Sequence, residues 1–342
     1  MSAVSAIAHP NIALAKYWGK RQGEGNYPAV PSLSITLAGM ETRTRVRFQE
    51  GLLRDRFVLD GQEELGRPRE RVVAMLERVR ELSGLRMFAE VESKNDFPTA
   101  SGLASSASGF AALAVAALEA GGIGAPSEHA RERASDLARR ASVSAARSVY
   151  GGFVELAAGP VAPARDERLV ARQLPVPDAF RDGFRVLVAV ATEAKKDVSS
   201  TDGMGRTARE SPYYGAWLDE APRLCARLRE AALAGDFDTV GALAESSCLA
   251  MHACAMAAGI VYWNAVTVDL MAAVRELRAG GTRVYFTIDA GPHVKVLAEA
   301  ADVPVATARL RAVPGTVRVI ETRAGGGAAL ESGPHEASGG AR

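Results

Sequence analysis

Cysteine is scarce in this chain, with three residues among 342, at positions 225, 248 and 254. The odd count and the absence of C-x-x-C spacing argue against a disulfide framework and against a closed zinc site. Cys248 and Cys254 flank His252, but no fourth candidate ligand lies near them in the sequence. We therefore interpret this group as buried packing residues of a helix, and we expect reduced thiols.

The chain also has almost no net charge, and it lacks a long apolar run. Its formal net charge is +1 at pH 7, so no overall field attracts a nucleic acid or a membrane surface. No apolar stretch has the length of a membrane span, and residues 1–10 lack a cationic segment followed by a long apolar core. These absences predict a cytoplasmic protein with a small-molecule substrate and with no nucleic-acid or membrane partner. Any anion site must be local.

Lysine is rare as well. The 41 basic residues comprise six lysines and 35 arginines, and the lysines stand at positions 16, 20, 94, 195, 196 and 295. Four of the six fall in two short motifs, Lys16 to Lys20 and Lys195 to Asp197. A compact ammonium and a planar guanidinium are not interchangeable at a phosphate or beside a carboxylate. These motifs are therefore candidates for sites that need lysine itself.

What the sequence does contain is a stretch of small and hydroxyl residues, 98–109, where a helix begins. The first N–H groups of a helix have no intrahelical partner, and the helix dipole adds positive charge there, so anions bind at such ends. Gly102 and Gly109 would let the backbone approach a phosphate, and Ser105, Ser106 and Ser108 can donate hydrogen bonds. The stretch matches neither the P-loop nor the dinucleotide pattern. It indicates either a phosphate site or a serine-capped core helix.

The length of 342 residues favours two lobes, and hydrophobic periodicity predicts a mixture of strands and helices. Strands are predicted at 5–15, with an interruption at Pro10, and at 32–37, 42–48, 54–59, 87–93, 153–156, 169–174, 184–191, 283–288 and 317–322. Helices are predicted at 69–82, from the serine-rich stretch to residue 119, and at 127–141, 216–234, 237–258, 266–279 and 294–301. A change of composition at 175–183 places the lobes at 1–182 and 183–323. The Gly, Ala and Ser content of 324–342 predicts a disordered tail.

Four separated clusters carry more specific information, at 9–21, 97–109, 195–204 and 287–292. They contain N-I-A-x-x-K-Y-W-G-K-R, P-x-x-x-G-L-x-S-S-A, K-K-D-V-S-S-T-x-G-M and D-A-G-P. Together they resemble the diphosphomevalonate decarboxylase family, a branch of the galactokinase, homoserine kinase, mevalonate kinase and phosphomevalonate kinase (GHMP) superfamily. The serine loop marks the superfamily in general, whereas the two lysine motifs are narrower. The resemblance spans residues 5 to 322.

The resemblance implies a fold and a reaction. The fold is the two-lobed α/β (α+β) GHMP kinase fold, with a ribosomal-S5-like β-α-β N-terminal lobe, a ferredoxin-like C-terminal lobe and an active site in the cleft between them. The reaction is the decarboxylation of (R)-5-diphosphomevalonate to isopentenyl diphosphate in the mevalonate pathway of isoprenoid biosynthesis, with ATP and Mg²⁺. It releases ADP, phosphate and CO2. A homodimer is expected from the family alone.

The resemblance also assigns roles to residues of this chain. The catalytic residues are Asp289, which orients or deprotonates the C3 hydroxyl, Lys16, which keeps that aspartate ionised or contacts phosphate, and Arg147, which meets the substrate carboxylate. The remaining substrate residues are Tyr17, Trp18, Lys20, Ser142 and Ser144, with Trp18 in the pocket or in the core. The ATP residues are Ser101, Gly102, Leu103, Ala104, Ser105, Ser106, Ser108, Lys195, Lys196, Ser199 and Ser200. Magnesium is held through the ATP phosphates, with Ser106 as its candidate protein ligand, and which of the two adjacent lysines touches phosphate is open.

Two departures from the family pattern leave the phosphorylation state of the substrate open. Ala141-Ser142-Val143-Ser144 stands where the family has G-S-G-S, and Val30-Pro31 stands where it has Asn-Ser after a proline. Replacing glycine narrows the backbone freedom beside the substrate. The alternatives are a 5-phosphomevalonate decarboxylase or a mevalonate 3-kinase of the same family. More distant alternatives are an ordinary small-molecule kinase of the superfamily and a ligand sensor that keeps the fold without chemistry.

Overall fold

The structure is a computed structural model, and it describes residues 1–97, 105–124, 127–162, 164, 167–194 and 197–331. Two sheets and four helices build the N-terminal lobe, and one sheet with a helical layer builds the C-terminal lobe. Of the helices in these ranges, none has both the length and the apolar character needed to cross a bilayer.

A six-stranded sheet forms the outer layer of the N-terminal lobe. Its strands, in spatial order, are β14 (Ala329–Leu330), β1 (Val4–Ala8), β4 (Thr42–Gln49), β7 (Phe88–Asn95), β5 (Arg56–Leu59) and β6 (Gln62–Glu63). In β4 every second residue is buried and the arginines between them face outward. This period-two pattern places one face of the sheet on the helices and leaves the other exposed.

A second sheet lies at the centre of the molecule. It contains β2 (Asn11–Ala15), β3 (Ser32–Thr36), β8 (Phe153–Leu156) and β9 (Arg172–Gln173), in that order. All residues of β2 and β3 are buried. Pro10 separates β1 from β2, so the predicted interruption is confirmed, and it moves the chain from the outer sheet to the central one.

Four helices complete this lobe, and their ends follow local signals. They are α1 (Arg67–Ser83), α2 (Ser105–Ala120), α3 (Glu128–Ala141) and α4 (Ala145–Ser148). Ser127 caps α3, since its side chain accepts a hydrogen bond from the backbone N–H of Ala130. Nearly every side of α2 is buried, because its alanines let the outer sheet and α3 approach closely.

The C-terminal lobe has one antiparallel sheet in the order β11 (Val284–Ile288), β12 (Val294–Glu299), β10 (Phe184–Val190) and β13 (Arg318–Arg323). Its helices are α5 (Asp178–Gly183), α6 (Ser200–Glu210), α7 (Tyr214–Ala234), α8 (Phe237–Met256), α9 (Ala265–Ala279) and α10 (Val303–Arg311). One apolar core joins β2 and β3 to β10, α7 and α8. The central sheet therefore packs against both lobes. The residues that follow β2, starting with Lys16, lie between the two lobes.

Three predicted segments differ in the structure. Residues 294–301, predicted as a helix, form β12 and the start of a 3-10 turn (Ala300–Asp302), because they fill a central position in the sheet. The strand predicted at 169–174 shortens to β9. Within the predicted tail, Ala329 and Leu330 pair with β1, and Glu331 bonds Arg43 at 2.6 Å, so disorder from residue 324 is wrong for the segment up to 331. The boundary at 182/183 falls within α5, one residue before its end and two residues before β10, and it stays a prediction.

Candidate active site

A buried ion pair joins the two lobes at the end of β2. Lys16 directly follows this strand, and Asp289 directly follows β11. The Nζ atom of Lys16 lies 2.6 Å from Oδ1 of Asp289 and 2.9 Å from the carbonyl oxygen of Ala13. The Lys16 side chain is 2% exposed, and that of Asp289 is 28% exposed. The carboxylate is therefore the accessible member of the pair.

A second lysine completes this cluster, and sequence reasoning did not place it there. Lys295 lies in β12, opposite Thr287 of β11, and its Nζ atom is 3.4 Å from Oδ2 of Asp289. The side chain is 2% exposed. The prediction of a helix over this segment concealed the register that brings Lys295 to the carboxylate. The scarcity of lysine was the signal that could have found it.

The two lysines decide the charge of Asp289. Burial would raise the pKa of this carboxyl, but the charges of Lys16 and Lys295 and their hydrogen bonds outweigh burial and hold its pKa well below the ordinary value. Burial lowers the pKa of Lys295, and the charge of Asp289 partly restores it. Asp289 is consequently an ionised and weakly basic carboxylate at neutral pH.

Arg147 lies in α4 and is 2% exposed. Its guanidinium donates to Oγ of Ser34 at 2.9 Å, to Oγ of Ser32 at 2.7 Å and to Oδ1 of Asn11 at 3.3 Å. Burial lowers its pKa to about 10, so the group is still cationic at neutral pH. Within the described ranges no carboxylate forms an ion pair with it. A buried cation held only by neutral groups is a site for an anionic ligand.

The two serines that precede α4 lie close together at this site. Oγ of Ser142 is 3.2 Å from Oγ of Ser144. The side chain of Asn11 donates to the carbonyl oxygen of Ser144 at 2.9 Å and to Oγ of Ser148 at 2.7 Å. β2 therefore fixes the position of α4, and with it the guanidinium of Arg147.

The aromatic pair after Lys16 divides between site and core. The Tyr17 hydroxyl is buried and has no hydrogen-bond partner among the residues described, and burial raises its pKa well above the ordinary value. Trp18 is 2% exposed and packs edge-on against Tyr262. Gly19 has φ +107°, and a Cβ atom there would overlap the hydroxyl of Tyr214. Glycine is therefore required in this motif, and Trp18 packs in the core.

The last lysine of the motif, Lys20, lies near an arginine of α1, Arg71. Burial, together with the charge of Arg71 in α1, lowers the pKa of half-buried Lys20. The Nε atom of Arg71 donates to the carbonyl oxygen of Ala141 at 3.0 Å, and its guanidinium covers the ring of Phe110 at 4.4 Å. In the part of the chain that is described, neither cation pairs with a carboxylate. Sequence reasoning missed Arg71, because one arginine among 35 carries no signal of its own.

The predicted nucleotide residues occupy two helix ends. Ser106 is exposed in the first turn of α2, and Ser199 caps α6, accepting from the backbone N–H of Asp202 at 3.1 Å. Ser105 and Ser200 are the first residues of these helices. Ser108 differs from the prediction, because it is fully buried and bonds Thr42 at 2.6 Å. The other predicted ATP residues lie outside the described ranges, namely Ser101, Gly102, Leu103, Ala104, Lys195 and Lys196.

Two family models match the chain, one for each lobe. The model described as "Diphosphomevalonate decarboxylase-like N-terminal domain" matches residues 8–166, and "Mevalonate 5-diphosphate decarboxylase C-terminal domain" matches residues 186–332. The chain belongs to the diphosphomevalonate decarboxylase family. The predicted family, the α/β two-lobed fold class and the enzyme class are thereby confirmed.

Individual relatives agree with this family membership. The phosphomevalonate decarboxylase of Haloferax volcanii is 36% identical over 296 residues, which are 85% of this chain and 87% of the relative. The diphosphomevalonate decarboxylase of Homo sapiens is 34% identical over 318 residues, 86% of this chain and 76% of the relative. A solved structure of MDDEF in complex with MVAPP, AMPPCP and magnesium is 38% identical, with a TM-score of 0.87 over 96% of this chain and 98% of that one.

Two alternative readings of single residues are settled by the geometry. Arg147 is not a solvated surface arginine, because it is buried and bonded on three sides. Cys248, His252 and Cys254 are buried in α8, and the described part of the chain contains no group of three His, Cys, Asp or Glu side chains arranged to hold a metal ion. The packing interpretation of these residues is confirmed.

Proposed function

We propose that the protein catalyses the ATP-dependent decarboxylation of 5-diphosphomevalonate to isopentenyl diphosphate, with release of ADP, phosphate and CO2. The observation that carries this proposal is the cluster of Asp289, Lys16 and Lys295 at the cleft, beside a buried Arg147 that lacks a carboxylate partner in the described structure. The substrate has a hydroxyl for the carboxylate and a carboxylate for the arginine. Family membership adds the reaction class.

Asp289 acts first, by accepting a hydrogen bond from the C3 hydroxyl. A carboxylate whose pKa is held down by two lysines is a weak base, so it orients the hydroxyl rather than removing its proton in advance. Phosphoryl transfer has a loose transition state that needs little activation of the nucleophile. The hydroxyl oxygen attacks the γ-phosphorus, ADP leaves, and the proton passes to Asp289 late in the step.

Arg147 serves the second half of the reaction. The C3–O bond breaks and its electron pair leaves with the phosphate, which makes C3 electron-deficient. The electrons of the C1–C2 bond then form the C2–C3 double bond, and C1 departs as CO2. The planar donor of Arg147 holds the carboxylate in one orientation relative to this bond, which is the geometric requirement of the step.

The phosphate groups of the substrate fit the basic pair of Lys20 and Arg71, with the buried hydroxyl of Tyr17 as a further donor. Ser142 and Ser144 directly precede α4, the helix that contains Arg147, and their hydroxyls would donate to substrate oxygens. Two cations that have no acidic partner among the described residues suit a diphosphate better than a single phosphate, because a diphosphate carries more charge at neutral pH.

ATP and magnesium would bind at the helix ends. The first turn of α2 has no acidic residue, and the exposed hydroxyl of Ser106 suits a magnesium ion that takes its other ligands from phosphate oxygens and water. When bound, the ion would neutralise the charge that develops on the phosphates. Ser105, Ser199 and Ser200 would donate to the phosphates, with Ser101, Gly102, Leu103 and Ala104 and with Lys195 or Lys196 from the neighbouring segments.

The assay that tests the proposal mixes the protein with ATP, Mg²⁺ and, separately, mevalonate, 5-phosphomevalonate and 5-diphosphomevalonate, and it follows ADP and CO2 independently. We expect equal amounts of ADP and CO2, with the highest kcat/KM for 5-diphosphomevalonate. ADP without CO2 would overturn the proposal in favour of a 3-kinase.

A second candidate substrate is 5-phosphomevalonate. The Haloferax volcanii relative and Val143 in the loop before α4 are the reasons to test it, whereas the human relative and the solved MVAPP complex support 5-diphosphomevalonate. A higher kcat/KM for 5-phosphomevalonate in the same assay would assign it. The basic pair of Lys20 and Arg71 predicts a higher kcat/KM for 5-diphosphomevalonate instead. Arg71→Ala should then lower the ratio of kcat/KM for 5-diphosphomevalonate to that for 5-phosphomevalonate.

We also propose that the protein is a cytoplasmic homodimer, as its family resemblance implies. Light scattering coupled to size-exclusion chromatography would give the mass in solution. A mass of one 36.0 kDa chain across the micromolar range would contradict the dimer.

A further inference from the structure

The free edge of the C-terminal sheet is closed by side chains. β11 is the edge strand of this sheet, and none of the strands in the described ranges pairs with its outward backbone groups. The backbone N–H of Phe286 donates to the Glu245 carboxylate of α8 at 2.9 Å. The carbonyl oxygen of Val284 accepts from Arg278 of α9 at 3.0 Å. Helix side chains thus take the place of a further strand along β11.

The last residue of this edge is held most completely. The backbone N–H of Ile288 donates to Sγ of Cys248 at 3.1 Å, and Nε2 of His252 lies 3.2 Å from the carbonyl oxygen of Ile288. A carbonyl only accepts, so His252 carries its proton on Nε2. Cys248 and His252 are one helical turn apart on α8, and both are fully buried, with 0% of their surface exposed to solvent. Ile288 is the residue directly before Asp289.

The same turn of α8 also contacts the other partner of the ion pair. Oγ of Ser247, which is 1% exposed, accepts a hydrogen bond from the backbone N–H of Lys16 at 2.9 Å. Ser247 is adjacent to Cys248, so it points about 100° around the helix from it, toward β2 rather than β11. Three residues of one helix therefore hold the backbone on both sides of the Lys16–Asp289 contact.

We propose that Ser247, Cys248 and His252 are positioning residues, and that they set the separation between Lys16 and Asp289. The inference rests on the proposed function, because it assigns the ion pair to the reaction. The two charged residues come from chain segments 273 positions apart and from different sheets. Their side chains meet at 2.6 Å only if both backbone segments are placed accurately. α8 bonds to both segments, in addition to the direct hydrogen bond at 3.4 Å from Oγ1 of Thr287 to the carbonyl oxygen of Ala13.

His252→Leu tests the proposal, because it removes the donor to Ile288 and keeps an apolar side chain of similar size in a buried place. We expect kcat to fall about 10- to 100-fold, since a misplacement of about 1 Å costs about that much, while KM for ATP and for the substrate changes less than about threefold. His252→Gln keeps an N–H donor at the position of Nε2, and we expect it to recover most of kcat. Ser247→Ala should lower kcat in the same way, with recovery in Ser247→Thr.

Leu243→Ala is the matched control. Leu243 is another buried residue of α8, and it packs in the apolar core of β10 and α7, a different cluster from the one that contains Ile288. This substitution should lower the melting temperature through a cavity, and it should leave kcat near the parent value well below that temperature. A loss of kcat in Leu243→Ala equal to that in His252→Leu would overturn the proposal, because general destabilisation would then explain both. A glutamine variant no better than the leucine variant would overturn it too.

Failure of this inference and failure of the proposed function have different signatures. If the unsubstituted protein turns over none of the three mevalonate substrates, the proposed function is wrong. A crystal structure of His252→Leu measures the positioning without activity: we expect the separation of Lys16 Nζ and the Asp289 carboxylate to grow by more than about 0.5 Å. An unchanged separation would overturn the inference whatever the parent enzyme does.

Discussion

The two ends of the proposed active site are built in opposite ways. The charged floor, Lys16, Arg147, Asp289 and Lys295, is made of ionised side chains in buried surroundings, and the three cations are each 2% exposed. The phosphate mouth, formed by the first turns of α2 and α6, is made of hydroxyls and backbone N–H groups at helix ends, with Ser106 exposed. The floor is assembled by tertiary contacts and the mouth by secondary structure.

The difference has an energetic cause. Burying a charge costs several kcal/mol unless it is paired, so the floor exists only because each ion has charged or polar partners from distant parts of the chain. Helix ends provide an anion site without any buried charge. Substitutions in the floor should therefore affect the chemistry or the stability strongly, whereas those in the mouth should affect ATP affinity modestly.

Asp289→Asn tests the floor at its centre and should have the largest effect. We expect kcat to fall by about 10²- to 10⁴-fold, because the amide cannot accept the proton of the C3 hydroxyl. ATP affinity, measured by calorimetry, should stay within about threefold, since Asp289 is not part of the phosphate mouth. Circular dichroism must show a folded variant, and a kcat within a few-fold of the parent would remove Asp289 from the reaction.

Arg147→Met separates binding from stability within the floor. We expect KM for the substrate to rise about 100-fold or more, because the substrate carboxylate loses its planar charged donor. The melting temperature of the ligand-free protein should stay the same or rise, because the cation forms no ion pair in the described structure and the charge of Asp289 offsets only part of its desolvation. A large fall in melting temperature, measured by calorimetry, would indicate that Arg147 is a structural residue.

Lys295→Met tests how the floor controls charge. Lys295 lowers the pKa of Asp289, so its removal should raise that pKa and move the acid limb of the kcat profile to higher pH by about one unit. In the parent, the depressed pKa stabilises the fold above the unfolded pKa of about 3.9, and this contribution is lost as the pH falls through the folded pKa. Lys295→Met should lose part of this contribution to the free energy of unfolding, because the pKa of Asp289 is then less depressed.

The matched change is Lys16→Met, which removes the nearer lysine, at 2.6 Å instead of 3.4 Å. Its acid limb should move further than that of Lys295→Met. Identical pH profiles for both variants and the parent would contradict the control of Asp289 by the two lysines.

Ser106→Ala tests the mouth and should have the smallest effect. We expect KM for ATP to rise about two- to tenfold, the value of one hydrogen bond, with kcat within about threefold. The control is Ser246→Ala, which removes an exposed hydroxyl from α8, away from the mouth. A loss of kcat as large as that of the floor variants would erase the distinction between the two ends.

Local signals predicted the elements that local physics builds. The Ser127 cap placed the start of α3, the apolar spacing of 69–82 lies within α1, and Pro10 separated β1 from β2. The segment 294–301 shows where this reasoning stops. Val294, Val296 and Ala298 are apolar and buried, but so is Leu297, and a strand buried on both faces has no alternation to distinguish it from a helix. That error removed Lys295 from the predicted site.

By itself, the sequence determined the family, because its motifs can be identified from the order of residues without knowing their contacts. It also determined the residue types of the site. It also indicated a local anion site at a helix start, because unpaired N–H groups are a property of one segment. Only the tertiary structure decided which residues share a space: Lys295 with Asp289, Arg147 with Ser32 and Ser34, and Ser108 with Thr42 in the core. The reason is that a buried charge takes its partners from register and packing, which lie between segments rather than within them.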